Sequence, residues 1–175
     1  MAKIYNTFTN VATGDPLPAT TFNNLLTNVA NYRVPPVVIT SGINTSQSIA
    51  NTTDTYLQWT GTPGVDTDSF WSSGANTRFT CNTAGIYQVN AAFQINSNAV
   101  SVLYINITLN GGTVVATGVG NTAAPSQNGV ARVAVSGIAN VTAGQYFEVA
   151  VLQTSGASRN PYVGHFSAAW LGQAS

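Results

Sequence analysis

The side chains able to do chemistry are few and far apart. His165 is the only histidine and Cys81 the only cysteine. A nucleophilic triad would set His165 between a serine and one of Asp15, Asp54, Asp66 or Asp68. No nucleophile motif accompanies them, and five acidic residues supply few general acid–base pairs. His165, inside a strand-like run beside Phe166, reads better as a structural residue of a strand or interface. Cys81 reads as a small buried hydrophobe. An enzyme is therefore not the expectation, and no catalytic residue is assigned.

Two further patterns could bind rather than catalyse. Asp66-Thr67-Asp68, in a loop bounded by Gly and Pro, offers two carboxylates to calcium. Calcium takes about six to eight oxygens, so the preferred reading is a turn with Asx hydrogen bonds and no cofactor or metal. Trp59, Trp71, Tyr56 and Tyr162 fall in or near loops, where rings stack on sugars, and Arg159 and Asn160 lie close to Tyr162. Trp59, Trp71 and Tyr162 are thus candidate glycan contacts. The same rings would equally plug the ends of a β fold or the seams of an oligomer, and that reading is favoured.

The elements that must position these residues follow from composition and periodicity. The 175 residues suit one domain with an arm, large enough for a hydrophobic core without staples. Charged residues are 6% of the chain, against roughly 25% in ordinary soluble proteins. Asn, Thr, Ser and Gly supply the polar surface, which offers little like-charge repulsion between copies. Lys3, Arg33, Arg78, Arg132 and Arg159 form no basic stripe, so nucleic acid is not an expected partner. A lone cysteine allows no intramolecular disulfide, as suits a reducing cytoplasm. No N-terminal apolar run reads as a signal peptide and none is long enough for a membrane helix, so synthesis in the cytosol without membrane insertion is expected. Without such a signal, the sequons at Asn44, Asn51, Asn106 and Asn140 carry no meaning.

Between Pro18 and Tyr32, Phe22, Leu25, Leu26 and Val29 recur on one helical face, with Thr20 or Thr21 as the expected cap. Asn and Thr are poor helix formers, so this stripe is expected to be buried against a partner. Pro35 and Pro36 end the arm. After them the pattern is strand, turn, strand. In "GIYQVNAAFQIN" Tyr87, Val89, Ala91, Phe93 and Ile95 share one face. "VSVLYINITLNGG" places Leu103, Ile105, Ile107 and Leu109 together before a Gly111–Gly112 turn. "ARVAVSGI", "QYFEVAVLQT" and "GHFSAAWLG" alternate likewise, and "PVVIT", "TYLQW" and "TRFTC" are weaker strands. Such a run of strands without intervening helices is an all-β sandwich or jelly roll. Tyr104, Tyr146, Leu152, Ala169 and Leu171 fall on faces that should meet water. A set like that marks an interface, and Tyr104, Tyr146, Leu152 and Leu171 are the expected contacts.

From about Ile43 to Gly172 the order of "TRFTCNTAGIYQVNAAF", "LNGG", "VTAGQYFEVAVLQTSG" and "HFSAAWLG" resembles the globular head of the complement q subunit and the tumour-necrosis-factor superfamily. "GVDTDSFW" is like the segment before the first core strand in virus-encoded and bacterial members. The resemblance implies a ten-stranded jelly-roll sandwich forming a homotrimer. "FTNVATGDPLPATTFNNLLTNVANY" is similar to the leader of many phage tail, fibre and other virion proteins, with Gly14, Leu17, Ala19, Phe22 and Asn23 carrying the phrase. That likeness implies an attachment element, here Phe8, Leu17, Phe22, Leu25, Leu26 and Val29. The expectation is an arm over residues 1–36 and a jelly roll over 37–175. Together they would form a non-catalytic trimeric knob that decorates or reinforces the exterior of a tailed-bacteriophage virion, in capsid or tail, beside other virion proteins. The alternative is a receptor- or glycan-binding module at a tail-fibre tip, its partner a host surface glycan.

Overall fold

Alternating apolar side chains make a strand amphipathic, and two such layers bury their apolar faces against each other. The computed structural model, which describes residues 18–96, 102–121 and 130–174, carries this out with ten strands. They are β1 (Val37–Thr40), β2 (Thr55–Tyr56), β3 (Val65–Asp66), β4 (Arg78–Thr80), β5 (Gly85–Asn96), β6 (Val102–Leu109), β7 (Thr113–Asn121), β8 (Val130–Val141), β9 (Tyr146–Gln153) and β10 (Pro161–Gly172). One sheet runs β3-β1-β10-β5-β8; the other runs β2-β9-β6-β7, with β4 also paired to β9. The strand pairs are antiparallel. The mainly β sandwich, with one α-helix among the described residues, is a ten-stranded jelly roll.

The core takes the residues that alternation selects: Tyr87, Val89, Phe93 and Ile95 from β5 face Leu103, Ile105 and Ile107 from β6 and Phe147, Val149 and Val151 from β9. At its centre the rings of Phe79 and Phe166 stack with centroids 4.1 Å apart. Tyr87 buries its ring there and donates its hydroxyl to the Thr83 carbonyl at 2.7 Å. The polar tip is thereby satisfied where water is excluded.

β7 is a strand whose pattern sequence periodicity does not reveal. Its registered partners put Ala116, Gly118 and Gly120 opposite Ile107, Ile105 and Leu103, so its inward face carries small residues there, with Val115 at the bulge packed against the core. The cause is a close approach of β7 to β8 from the other sheet. A Cβ on Gly118 would lie 2.5 Å from the Ala134 carbonyl oxygen, and one on Gly120 would lie 2.7 Å from that of Arg132. Exposed Val114 and Val119 mark its other face, inverting the usual signal.

The helix α1 (Ala19–Arg33) forms where the 3.6-residue period placed it. The expected Thr20 or Thr21 cap does not form. Pro18 occupies the N-cap with φ −56° and ψ 144° and no side-chain cap bond, leaving both threonines inside the first turn. Proline's fixed φ launches the helix instead. Phe22, Leu25, Leu26 and Val29 share a face as expected, yet all four are exposed.

Candidate functional site

The feature the fold builds from residues far apart in sequence is the outer face of the β3-β1-β10-β5-β8 sheet. Cross-strand register lines up His165, Ala92 and Ala134 in one row and Ile39, Ser167, Asn90 and Ser136 in the next. Directly paired residues on one face sit close together, and small side chains at the centre of such rows leave a trough. Two adjoining grooves of about 530 and 390 Å³ lie along it, sharing Ala92, Ala134 and His165. Among the described residues Arg132, whose Nε donates to Gln94 Oε1 at 2.8 Å, is the Lys, Arg, Asp or Glu side chain lining these grooves. Ile39 and Ile138 stand exposed on this face, Ile138 at 66%, and Leu171 continues the outward set of β10. A broad, nearly uncharged face with apolar margins has the character common at protein interfaces.

His165 is exposed here near Ser136 and Ser167, but no Asp or Glu lines the groove to orient an imidazole. Ser167 Oγ instead accepts a bond from Asn90 Nδ2 at 3.2 Å. Among the described residues, those the triad would need are not brought together at this groove. Asp15, like Phe8 and Leu17, lies outside the described residues.

The four expected interface residues divide between opposite sides of the sandwich. Tyr104, Tyr146 and Leu152 belong to the β2-β9-β6-β7 sheet, where Tyr104 pairs with Leu152 and Val119. Leu171 belongs to the other sheet. They do not form one patch. Tyr146 is moreover engaged within its own chain, since the Arg78 guanidinium sits 4.3 Å from its ring centroid. Arg78 also reaches buried Glu148 at 3.3 Å. The residues sequence reading missed are Ile39, Ile138 and the small set Ala92, Ala134, Ser136 and Ser167. Their signal was small residues at outward positions of three adjacent strands, which needs the pairing order to be seen.

The three aromatic candidates differ in exposure. Trp59 is 1% exposed, packed against Phe79 at 5.4 Å and Phe166 at 6.2 Å between ring centroids. As a glycan contact it is corrected: its segment bridges to Ile43 and turns the indole into the core. Trp71 is half-buried and packs against that core, leaving Tyr162 as the exposed ring of the three. Asp66 and Asp68 are both used locally. Asp66 accepts the backbone N–H groups of Phe70 at 2.8 Å and Trp71 at 3.1 Å, closing a wider loop than an Asx turn. Buried Asp68 accepts the Thr83 hydroxyl at 2.8 Å.

Cys81 is fully buried, and burial first, then the nearby Asp68 carboxylate, pushes its thiol from 9.0 up to about 12. That leaves about a thousandfold less thiolate than an ordinary thiol, so a nucleophilic role is closed to it. Thiol labelling at pH 8 should be negligible in the native protein and immediate in denaturant. Fast labelling of native protein would show that Cys81 is accessible. The sign of the pH effect follows: the unfolded thiol ionises first, so stability from this group is full below pH 9 and declines as pH climbs towards 12.

No protein-family model matches the chain, and no curated protein matches it. Solved structures do. Murine APRIL at pH 8.0 superposes with a TM-score of 0.58 at 10% identity, over 78% of this chain and 98% of that one. The globular domain of zebrafish complement 1qA gives 0.57 at 11% identity, over 80% and 99%. Murine APRIL at pH 8.5 gives 0.56 at 9% identity, over 78% and 98%. At such identities the likeness shows the fold alone: a jelly roll of the tumour-necrosis-factor and complement-q kind.

Proposed function

We propose that the chain is a non-catalytic structural protein that assembles as a homotrimer through the outer face of the β3-β1-β10-β5-β8 sheet and forms an exterior knob on a tailed-bacteriophage particle. The observation that carries the assembly is that face itself, a nearly uncharged trough margined by Ile39, Ile138 and Leu171. A monomer gains nothing from leaving so much uncharged surface in water, whereas self-association removes it. The 6% charge content supports the same reading, because copies meet without repulsion. The particle is supported by the phage-leader likeness of residues 8–32, whose arm attaches the knob to capsid or tail. Synthesis is in the host cytoplasm. The receptor-binding alternative loses support with Trp59 in the core and Trp71 packed against it.

Light scattering after size exclusion should give three times the 18.2 kDa chain mass. A clean monomer at micromolar concentration would overturn the assembly. An antibody to the chain should decorate intact particles in electron micrographs; labelling of cell debris alone would remove the virion assignment.

A further inference from the structure

We infer that the apolar stripe of α1 is covered by the α1 helices of two further copies of this chain, forming a parallel three-helix stalk. The inference rests on the trimer proposed above and assigns a surface that trimer leaves open. Phe22, Leu25, Leu26 and Val29 are 46–52% exposed, and among the described residues no strand of the sandwich packs along the helix. A helix of 15 residues rich in Asn and Thr does not persist alone in water, so the stripe needs a partner.

Three observations select other copies of α1 as that partner. The stripe falls at i, i+3, i+4 and i+7, the a, d, e, a positions of a heptad seam. No charged residue precedes Arg33 in the helix, so identical helices lie side by side without repulsion and no charge pattern demands a different partner. The tether is short: only Val34, Pro35 and Pro36 separate α1 from β1, a strand of the self-association sheet. The Pro36 carbonyl accepts the Trp170 N–H at 2.9 Å, which pins the exit point to that sheet. Three extended residues span at most about 11 Å, so a threefold assembly through this face brings three helices together in parallel. Their effective concentration is then on the order of millimolar, which lets a short seam close. Attachment to the particle is left to the segment before Pro18.

Disulfide trapping in the full-length chain tests this, because buried, protonated Cys81 does not compete. Leu25→Cys and Val29→Cys place thiols on the seam; Thr27→Cys, on the opposite helical face, is the control. Each variant is first confirmed as a trimer by native mass and then oxidised with copper–phenanthroline. Both seam variants should form linked dimers at least about ten times faster than the control, since seam positions approach disulfide distance. Trimers whose seam thiols link no faster than Thr27→Cys would overturn the stalk, leave the trimer standing and assign the stripe to another virion protein. A monomeric unsubstituted chain would instead sink the trimer, and the stalk with it.

Discussion

Gly85→Val is expected to be the most damaging single substitution in the sandwich, lowering Tm by roughly 10–20 °C. Gly85 opens β5 with φ +144°, a backbone conformation that L side chains rarely adopt. Its missing Cβ is also space already taken, because a side chain there would run into the Trp170 indole Nε1 and the Gly172 carbonyl oxygen. Trp170 has little room to retreat: its Nε1–H donates to the Ala84 carbonyl at 3.1 Å and its ring is buried. Backbone strain of about 1–3 kcal/mol and an overpacking cost of similar size add to roughly 2–6 kcal/mol. That is a large share of the ~5–15 kcal/mol that holds a domain folded. Gly144→Ala separates the two causes. Gly144 has φ +89° but open space around it, so only the strain remains. Thermal denaturation should show a small loss for Gly144→Ala and a severe one for Gly85→Val; equal losses would mean that contact with Trp170 contributes nothing.

How far the fold was legible depended on what each strand had to bury. β5 was readable over its whole length because both its neighbours and the opposing sheet demand large inward side chains, and strict alternation resulted. β6, β9 and β10 were readable for the same reason. β7 was not, because its inward positions Ala116, Gly118 and Gly120 are shaped by the approach of β8, a strand distant in sequence. β3 is two residues long and exists only through its pairing with β1, so no periodicity could announce it.

For the candidate site, residue types were legible along the chain but their placement on the two sheets was not. Low charge and outward apolar residues pointed to assembly, yet sequence could not tell which outward residues share a sheet. Tyr104 and Leu171 look equivalent along the chain and lie on opposite sides of the sandwich. Trp59 looked like a loop residue because its segment has almost no regular pairing, a single bridge to Ile43. Its burial comes from Phe79 and Phe166, contacts no local pattern records.

Ala92→Arg should convert the proposed trimer to monomers while leaving the monomer folded. Ala92 is half-buried at the centre of the outer face, paired with His165 on one side and Ala134 on the other. In a free monomer an arginine there extends into water, so denaturation of the monomer should change little. In the trimer it fills the trough a neighbour must enter. It brings a charge to a face whose lining holds Arg132 and His165 but no carboxylate to pair with it. Burying an unpaired charge costs about 3 kcal/mol or more, and symmetry repeats that cost at three interfaces. The subunit concentration for half-assembly should therefore rise about a thousandfold. Tyr104→Arg makes the matching change on the other sheet and should leave the native mass at three chains. Dissociation by Tyr104→Arg with an intact Ala92→Arg trimer would move the interface to the β2-β9-β6-β7 face. Retention of the trimer by both would place assembly on neither sheet face.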